Sequence, residues 1–170
     1  METERFRAFG ENDMSYQKKI VQSINKFYVE CVEEFREAEQ RIANDSKFRR
    51  LFQKKNYGAN IELLRRCRNV SRSIRFPTGD IEAGDTASRD IILMCESCIR
   101  QFNKLCDSYI QLQLALKKKA EGGDMPYKEY IGIYHVTQEH HAKMNSQLHE
   151  LDIMYADYTE DMEYGDLYFG

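Results

Sequence analysis

Apolar side chains recur at alternating steps of four and three residues along one stretch in the second half of the sequence. This seam consists of Ile91, Cys95, Cys98, Phe102, Leu105, Tyr109, Leu112 and Leu116. Heptad spacing places it on one stripe of an α-helix, which we expect to run from about Thr86 to about Ala120. Such a helix spans about 50 Å, at roughly 1.5 Å per residue, and cannot bury the stripe alone. The sequence therefore predicts that other helices pack around it.

Two further parts of the chain carry long helical patterns that can supply these partners. Residues 15–44 hold apolar positions at an average of about 3.67 residues per turn, which is typical of a nearly straight helix. A turn rich in capping residues follows at 44–46. The last helix begins near Pro126 and keeps a heptad seam as far as Tyr155.

The second helix is predicted to be broken. A short helix at residues 47–55 precedes a piece at 61–75, for which Asn60 is the expected N-cap. Short connections force successive helices to run antiparallel, and no strand pattern occurs anywhere. We therefore predict an all-α protein, an antiparallel up-down-up-down four-helix bundle with a broken second helix.

The sequence divides into three regions by composition. We expect a flexible N-terminal arm at residues 1–14, the bundle at 15–156 and a disordered acidic aromatic tail at 157–170. Residues 150–170 hold seven acidic side chains and no basic one. The tail residues expected to contact a partner protein are Tyr158, Tyr164, Tyr168 and Phe169.

Basic side chains are concentrated before the organising helix. Residues 46–76 hold ten Lys or Arg and one acid, Glu62. The predicted basic stripe consists of Arg49, Arg50, Lys54, Lys55, Arg65, Arg68, Arg72 and Arg75. Because arginine binds phosphate bidentately, this pattern favours a non-enzymatic protein that contacts a nucleic-acid backbone or another polyanion, such as an acidic protein surface. A solvated helix face is the structural alternative.

The acidic tail offers two further hypotheses. It could fold back on the basic stripe and so make the protein autoinhibited, although a solubilising terminus is the more ordinary interpretation. Alternatively, the tail itself is the ligand segment of a protein-protein interaction adaptor or inhibitor, with its aromatic residues anchored in a partner's groove.

Catalytic and metal-binding signatures are missing from the sequence. It contains no His-Glu-x-x-His, no Gly-x-Ser-x-Gly and no phosphate-binding glycine loop, so we expect neither enzymatic activity nor a cofactor. Antiparallel packing would place Cys67 level with Cys95 and Cys98, but a fourth ligand for a metal is not evident. We therefore expect these cysteines to be core residues rather than a metal site.

One short run resembles a known motif. His140-His141-Ala142-Lys143 resembles the His-x-x-Lys of histidine phosphotransfer bundles, in which an exposed histidine accepts a phosphoryl group. That family carries a glycine after the lysine, whereas this chain has Met144. A seam histidine held by a tyrosine hydroxyl is the structural alternative.

Cysteine usage and hydropathy indicate a compartment. Five cysteines, an odd number, fall on or beside apolar seams, and no secretory or membrane-spanning pattern occurs. We expect a reduced, cytoplasmic protein, and a leftover apolar face is compatible with a homo-oligomer.

Overall fold

A computed structural model describes the backbone of residues 15–48 and 56–169, and the side chains of residues 15–44 and 56–162. Helix α1 covers Tyr16–Lys26, a π-helical segment covers Phe27–Glu33, and α2 covers Glu34–Phe48. These three follow one another without a break and are called the first rod. Helix α3 covers Tyr57–Ser73, α4 covers Thr86–Ala120 and α5 covers Tyr127–Phe169. The described part of the chain is all-helical and contains no strand, as the sequence predicted.

Helix α4 begins and ends where the sequence predicted. The carboxylate of Asp85 caps its first turn by accepting a hydrogen bond from the Ser88 backbone amide at 3.1 Å. Gly122 follows the helix with φ of 81°, a conformation that costs glycine little. The amide of Gly123 then bonds the Lys118 carbonyl at 2.8 Å, which completes a Schellman stop.

Two local predictions in the first half of the chain were wrong. Helix α2 continues through residues 44–46, where a turn was expected, and is described as far as Phe48. Asn60 lies inside α3 rather than at its cap, because its buried side chain bonds Gln113 across the interface. The first rod also contains a π-helical segment, which takes up the excess over 3.6 residues per turn.

The core lies along the seam of α4. Phe102 is 1% exposed and meets the rings of Phe27 and Phe35 edge-on, with centroids 5.6 and 5.5 Å apart. Phe35 in turn meets Tyr109 in the same way. Edge-to-face contacts add to the free energy gained by burying the rings. These aromatic pairs fix the first rod against the middle of α4.

Helices α4 and α5 pack along most of their length. The Ser88 hydroxyl bonds the Tyr158 hydroxyl at one end of the interface, and Gln101 bonds His140 further along. Residue numbers therefore rise along α4 as they fall along α5.

Helix α3 shows the same relation to α4. Asn60 bonds Gln113 near the start of α3, and Ser71 bonds Asn103 near its end. The first rod meets α3 in the same sense, because the Ser23 hydroxyl bonds the carbonyl of Arg75 and Glu34 pairs with Arg66.

The C-terminal region differs from the prediction of a disordered tail beginning at residue 157. Helix α5 continues to Phe169, and the side chain of Tyr158 is 8% exposed. Met162 is partly buried against the same core. The packing of Tyr158 and Met162 against the core thus continues the apolar stripe beyond Tyr155, although the region is rich in acidic residues.

Two predicted regions lie outside the described residues, namely the N-terminal arm at 1–14 and most of the short helix at 47–55. Among the helices that the structure describes, none combines the length and the apolar character needed to cross a membrane.

Candidate functional site

Half of the predicted basic stripe lies outside the described residues: Arg49, Arg50, Lys54 and Lys55. The other half lies on α3 and directly after it. Arg65 is exposed, but its guanidinium forms an ion pair with Glu62 one turn earlier, at 3.1 Å. This pair neutralises the first arginine of the described stripe.

Arg68 does not point into solvent, contrary to the sequence analysis. Its side chain is 21% exposed and its Nη1 lies 2.7 Å from a carboxylate oxygen of Asp107 on α4. The pairing partner is 39 residues away in the sequence, so the helical wheel of α3 could not reveal it. Arg68 is therefore engaged in holding α3 against α4.

Arg72 and Arg75 remain exposed at the end of α3. Arg72 donates from Nε to the Asn103 amide oxygen at 3.2 Å, and its Nη2 lies 3.7 Å from Asp107. Arg75 donates from Nη1 to the carbonyls of Arg72 and Ile74 at 2.7 and 2.9 Å. These bonds satisfy carbonyls at the helix end and fix the position of the Arg75 guanidinium.

A surface cleft of about 390 Å³ opens between the end of α3 and the middle of α4. We call it the arginine cleft. Its charged and apolar lining includes Arg72, Arg75, Arg100, Glu96, Phe76 and Ile99. Three arginine side chains, from α3, from the residues directly after it and from α4, thus line one cavity with a single carboxylate among its described lining residues.

Arg100 was missed by the sequence analysis. It is exposed on α4, directly after the partly buried Ile99, and it forms no ion pair or hydrogen bond with any other described residue. Arg100 lies outside the dense basic segment at residues 46–76 and joins the cleft from a helix of mixed charge. A helical wheel of α4 places Arg100 off the apolar seam and facing solvent. This position is the sequence signal by which Arg100 could have been identified.

The predicted partner-binding residues of the C-terminal region are not an exposed set. The Tyr158 hydroxyl lies 2.7 Å from the Ser88 hydroxyl inside the α4–α5 interface. The side chains of Tyr164, Tyr168 and Phe169 lie outside the described part of the structure. Tyr158 therefore belongs to the core.

The cysteines are buried, and the part of the chain that the structure describes contains no group of three or more metal-ligating side chains. Burial raises the pKa of the Cys67 thiol to about 11 and that of Cys98 to about 12. Burial raises the pKa of Cys95 further still. Thiols with such pKa values remain protonated at neutral pH and are poor nucleophiles.

Both histidines of the His-x-x-Lys run are engaged in side-chain contacts. The His140 ring nitrogen Nδ1 lies 3.0 Å from the Gln101 amide nitrogen. The His141 Nε2 lies 2.6 Å from a carboxylate oxygen of Glu39, which also accepts a hydrogen bond from the Tyr109 hydroxyl. Glu39, rather than the Tyr109 hydroxyl, therefore holds His141. The tyrosine hydroxyl bonds the same glutamate.

Comparison with known protein families, with curated proteins and with solved structures gives no match for this chain.

Proposed function

We propose that this protein binds the phosphate backbone of a nucleic acid through the arginine cleft. The observation that carries the proposal is the convergence of Arg72, Arg75 and Arg100 on one cavity. Guanidinium groups are weakly hydrated and match two phosphate oxygens at once. A cavity with three of them and one carboxylate, Glu96, favours an anionic ligand.

We further propose that the scaffold is an antiparallel up-down-up-down four-helix bundle. The hydrogen-bonded registers between α3 and α4 and between α4 and α5 support this topology. In such a bundle the end of α3 lies beside the middle of α4, which is where the cleft opens. The scaffold then presents the arginines on rigid helices rather than on a loop.

The apolar lining of the cleft suits a nucleotide better than an isolated phosphate. Phe76 and Ile99 are both partly buried against the core and line the same cavity as the arginines. An aromatic ring beside a basic groove gives a base or sugar an apolar surface on which to lie. Contacts of this kind depend little on base sequence, so we expect weak sequence preference.

Fluorescence anisotropy of labelled single-stranded RNA and DNA tests the proposal. We expect binding by the full chain at low salt, with the logarithm of affinity falling against the logarithm of salt at a slope near −2, for about three neutralised phosphates. The Arg100→Gln variant should weaken binding and make this slope shallower. Arg41→Gln is the matched control, because Arg41 is also exposed and pairs with Glu37 away from the cleft.

Two results would contradict the proposal: no binding by the full chain at low salt, or equal affinities for Arg100→Gln and the parent chain. Binding of polyglutamate in place of RNA and DNA would point instead to an acidic protein surface. A chain that ends at Met162 keeps the Tyr158 contact but lacks Glu163 and Asp166. Comparing its affinity with that of the full chain tests whether these two acidic residues compete for the cleft.

A further inference from the structure

A second cleft lies away from the arginine cleft. It has a volume of about 570 Å³ and opens between the end of the first rod, the start of α3, the second half of α4 and the start of α5. Its aromatic lining is Tyr57, Tyr109, Tyr130 and Tyr134. Leu112 of this cleft and Ile99 of the arginine cleft are thirteen residues apart on α4, or about 20 Å along the helix axis. We call it the tyrosine cleft.

The size and lining of the tyrosine cleft are those of a small-molecule site. Pockets for such ligands hold roughly 300 to 1,000 Å³ and combine aromatic and aliphatic walls with a few polar groups. Here Ile42 and Leu112 supply aliphatic surface beside the tyrosine rings. Planar rings stack on tyrosine faces, so this lining favours an aromatic ligand.

A largely buried amide side chain lines the tyrosine cleft. Gln113 lines the cleft and is only 2% exposed. Its oxygen accepts a hydrogen bond from the Asn60 amide at 3.3 Å, which fixes the orientation of the side chain. The nitrogen of the same amide has no hydrogen-bond partner among the described residues. This nitrogen can therefore donate to an acceptor on a ligand in the cleft.

The charges at the tyrosine cleft favour an anion. Arg36 lines it and forms no ion pair or hydrogen bond with another described residue. The carboxylate of Glu39 also lines it, but this group is already held by the Tyr109 hydroxyl and by His141 Nε2. The available charge is therefore positive.

We propose that the tyrosine cleft binds a planar aromatic small molecule that carries a hydrogen-bond acceptor and a negatively charged group. The rings of Tyr130 and Tyr134 stack on the aromatic part, the Gln113 amide donates to the acceptor and Arg36 pairs with the anionic group. This site is separate from the arginine cleft, and the inference does not depend on nucleic-acid binding.

The probe is 2-naphthoate, which combines fused rings with a carboxylate, and its uncharged partner is naphthalene-2-carboxamide. Both are titrated into the ¹⁵N-labelled full chain, and backbone amide shifts report location and affinity. We expect saturable shifts around Leu112, Leu116 and Tyr130, with naphthoate bound more tightly than the carboxamide.

Substitutions at exposed positions separate the contributions of ring stacking and of charge to the binding of the probes, and they do not disturb the core. Tyr134→Ala should weaken both probes by about two- to tenfold, as expected for loss of one stacking contact. Arg36→Gln should weaken naphthoate alone, by about two- to fivefold, since the pair is exposed. Tyr127→Ala and Arg41→Gln are the controls, because both side chains are exposed and lie outside the tyrosine cleft.

The inference is overturned if neither probe gives saturable shifts up to its solubility limit, or if Tyr134→Ala and Arg36→Gln bind as the parent chain does. Equal losses in the control variants would also overturn it. Because naphthoate is titrated without nucleic acid, failure of the arginine cleft to bind RNA or DNA leaves this result unaffected.

Discussion

The hydroxyl of Tyr158 lies 2.7 Å from the hydroxyl of Ser88, although the two residues are 70 positions apart in the sequence. Ser88 also donates to the Asp85 carboxylate at 2.7 Å, and Tyr16 donates to the same carboxylate oxygen. A continuous chain of hydrogen bonds thus joins the start of the first rod, the cap of α4 and the end of α5. This network ties together three helices at one end of the molecule.

Replacing Tyr158 by Phe should lower the free energy of unfolding by about 1 to 2 kcal/mol, because a buried hydrogen bond is lost while the ring still packs. Urea denaturation followed by circular dichroism measures this change. Tyr127→Phe is the control, since Tyr127 is 73% exposed and its change should leave stability the same. Equal stability of Tyr158→Phe and the parent chain would show that the contact contributes nothing.

Alkaline pH should weaken the same network through Tyr16. Its hydrogen bond to the Asp85 carboxylate raises the pKa of the Tyr16 phenol from its ordinary value near 10 to about 12. The folded state therefore favours the neutral phenol, and this contribution to stability is complete below pH 10 and lost as pH rises towards 12.

This pH dependence is checked by urea unfolding of the parent chain and of Tyr16→Phe at a series of pH values from 9 upward. The difference in stability between the two chains should shrink as pH rises through this window. A difference that stays constant with pH would contradict the assignment.

The cysteines should resist thiol reagents while the chain is folded. Cys31, Cys67, Cys95, Cys98 and Cys106 are each 0 or 1% exposed, and burial raises the pKa of every one of these thiols. Iodoacetamide at neutral pH should therefore label them only after unfolding in urea, as mass spectrometry would show. Rapid labelling of any cysteine in the native chain would contradict the described core.

The ion pair between Arg68 and Asp107 should be coupled more strongly than an exposed pair on one helix. A double-mutant cycle with Arg68→Ala and Asp107→Ala should give an interaction energy of about 1 kcal/mol, because Arg68 is largely buried. The same cycle at Arg65 and Glu62, which are both more exposed, should give a value near zero. Equal values in the two cycles would show that burial does not strengthen the contact.

The extent of α4 could be predicted because several local signals agree there. Its heptad seam continues without interruption, Asp85 supplies a cap and Gly122 supplies a stop. Asn60 shows the opposite case, since its side chain is a good helix cap by type yet lies buried inside α3. Its role depends on Gln113, which no local pattern in α3 reveals.

The end of α5 was predicted wrongly although a signal was present. Leu151, Tyr155, Tyr158 and Met162 continue the steps of four, three and four residues beyond the point where the seam was judged to stop. The acidic side chains between them occupy the outer face of the helix and do not interrupt the inner stripe. In this region the periodicity of the apolar residues, rather than the acidic composition, indicates the structure.

The candidate site could be predicted only in part. Arg72 and Arg75 were identified from the density of basic residues, whereas Arg100 joins them through the packing of α3 against α4. The same packing brings Arg68 into an ion pair with Asp107. Contacts between helices that are distant in the sequence thus decide which arginines remain available to a ligand.

The π-helical segment at Phe27–Glu33 bears on how the length of this chain can vary. Removing one residue from a regular α-helix rotates everything beyond it by about 100° and would turn the apolar stripe of α2 away from the core. A wide turn holds an additional residue, so a deletion within it can close to ordinary helix while the flanking stripes stay nearly in phase. The first rod thus contains one place at which homologous chains could gain or lose a residue and still pack the same core.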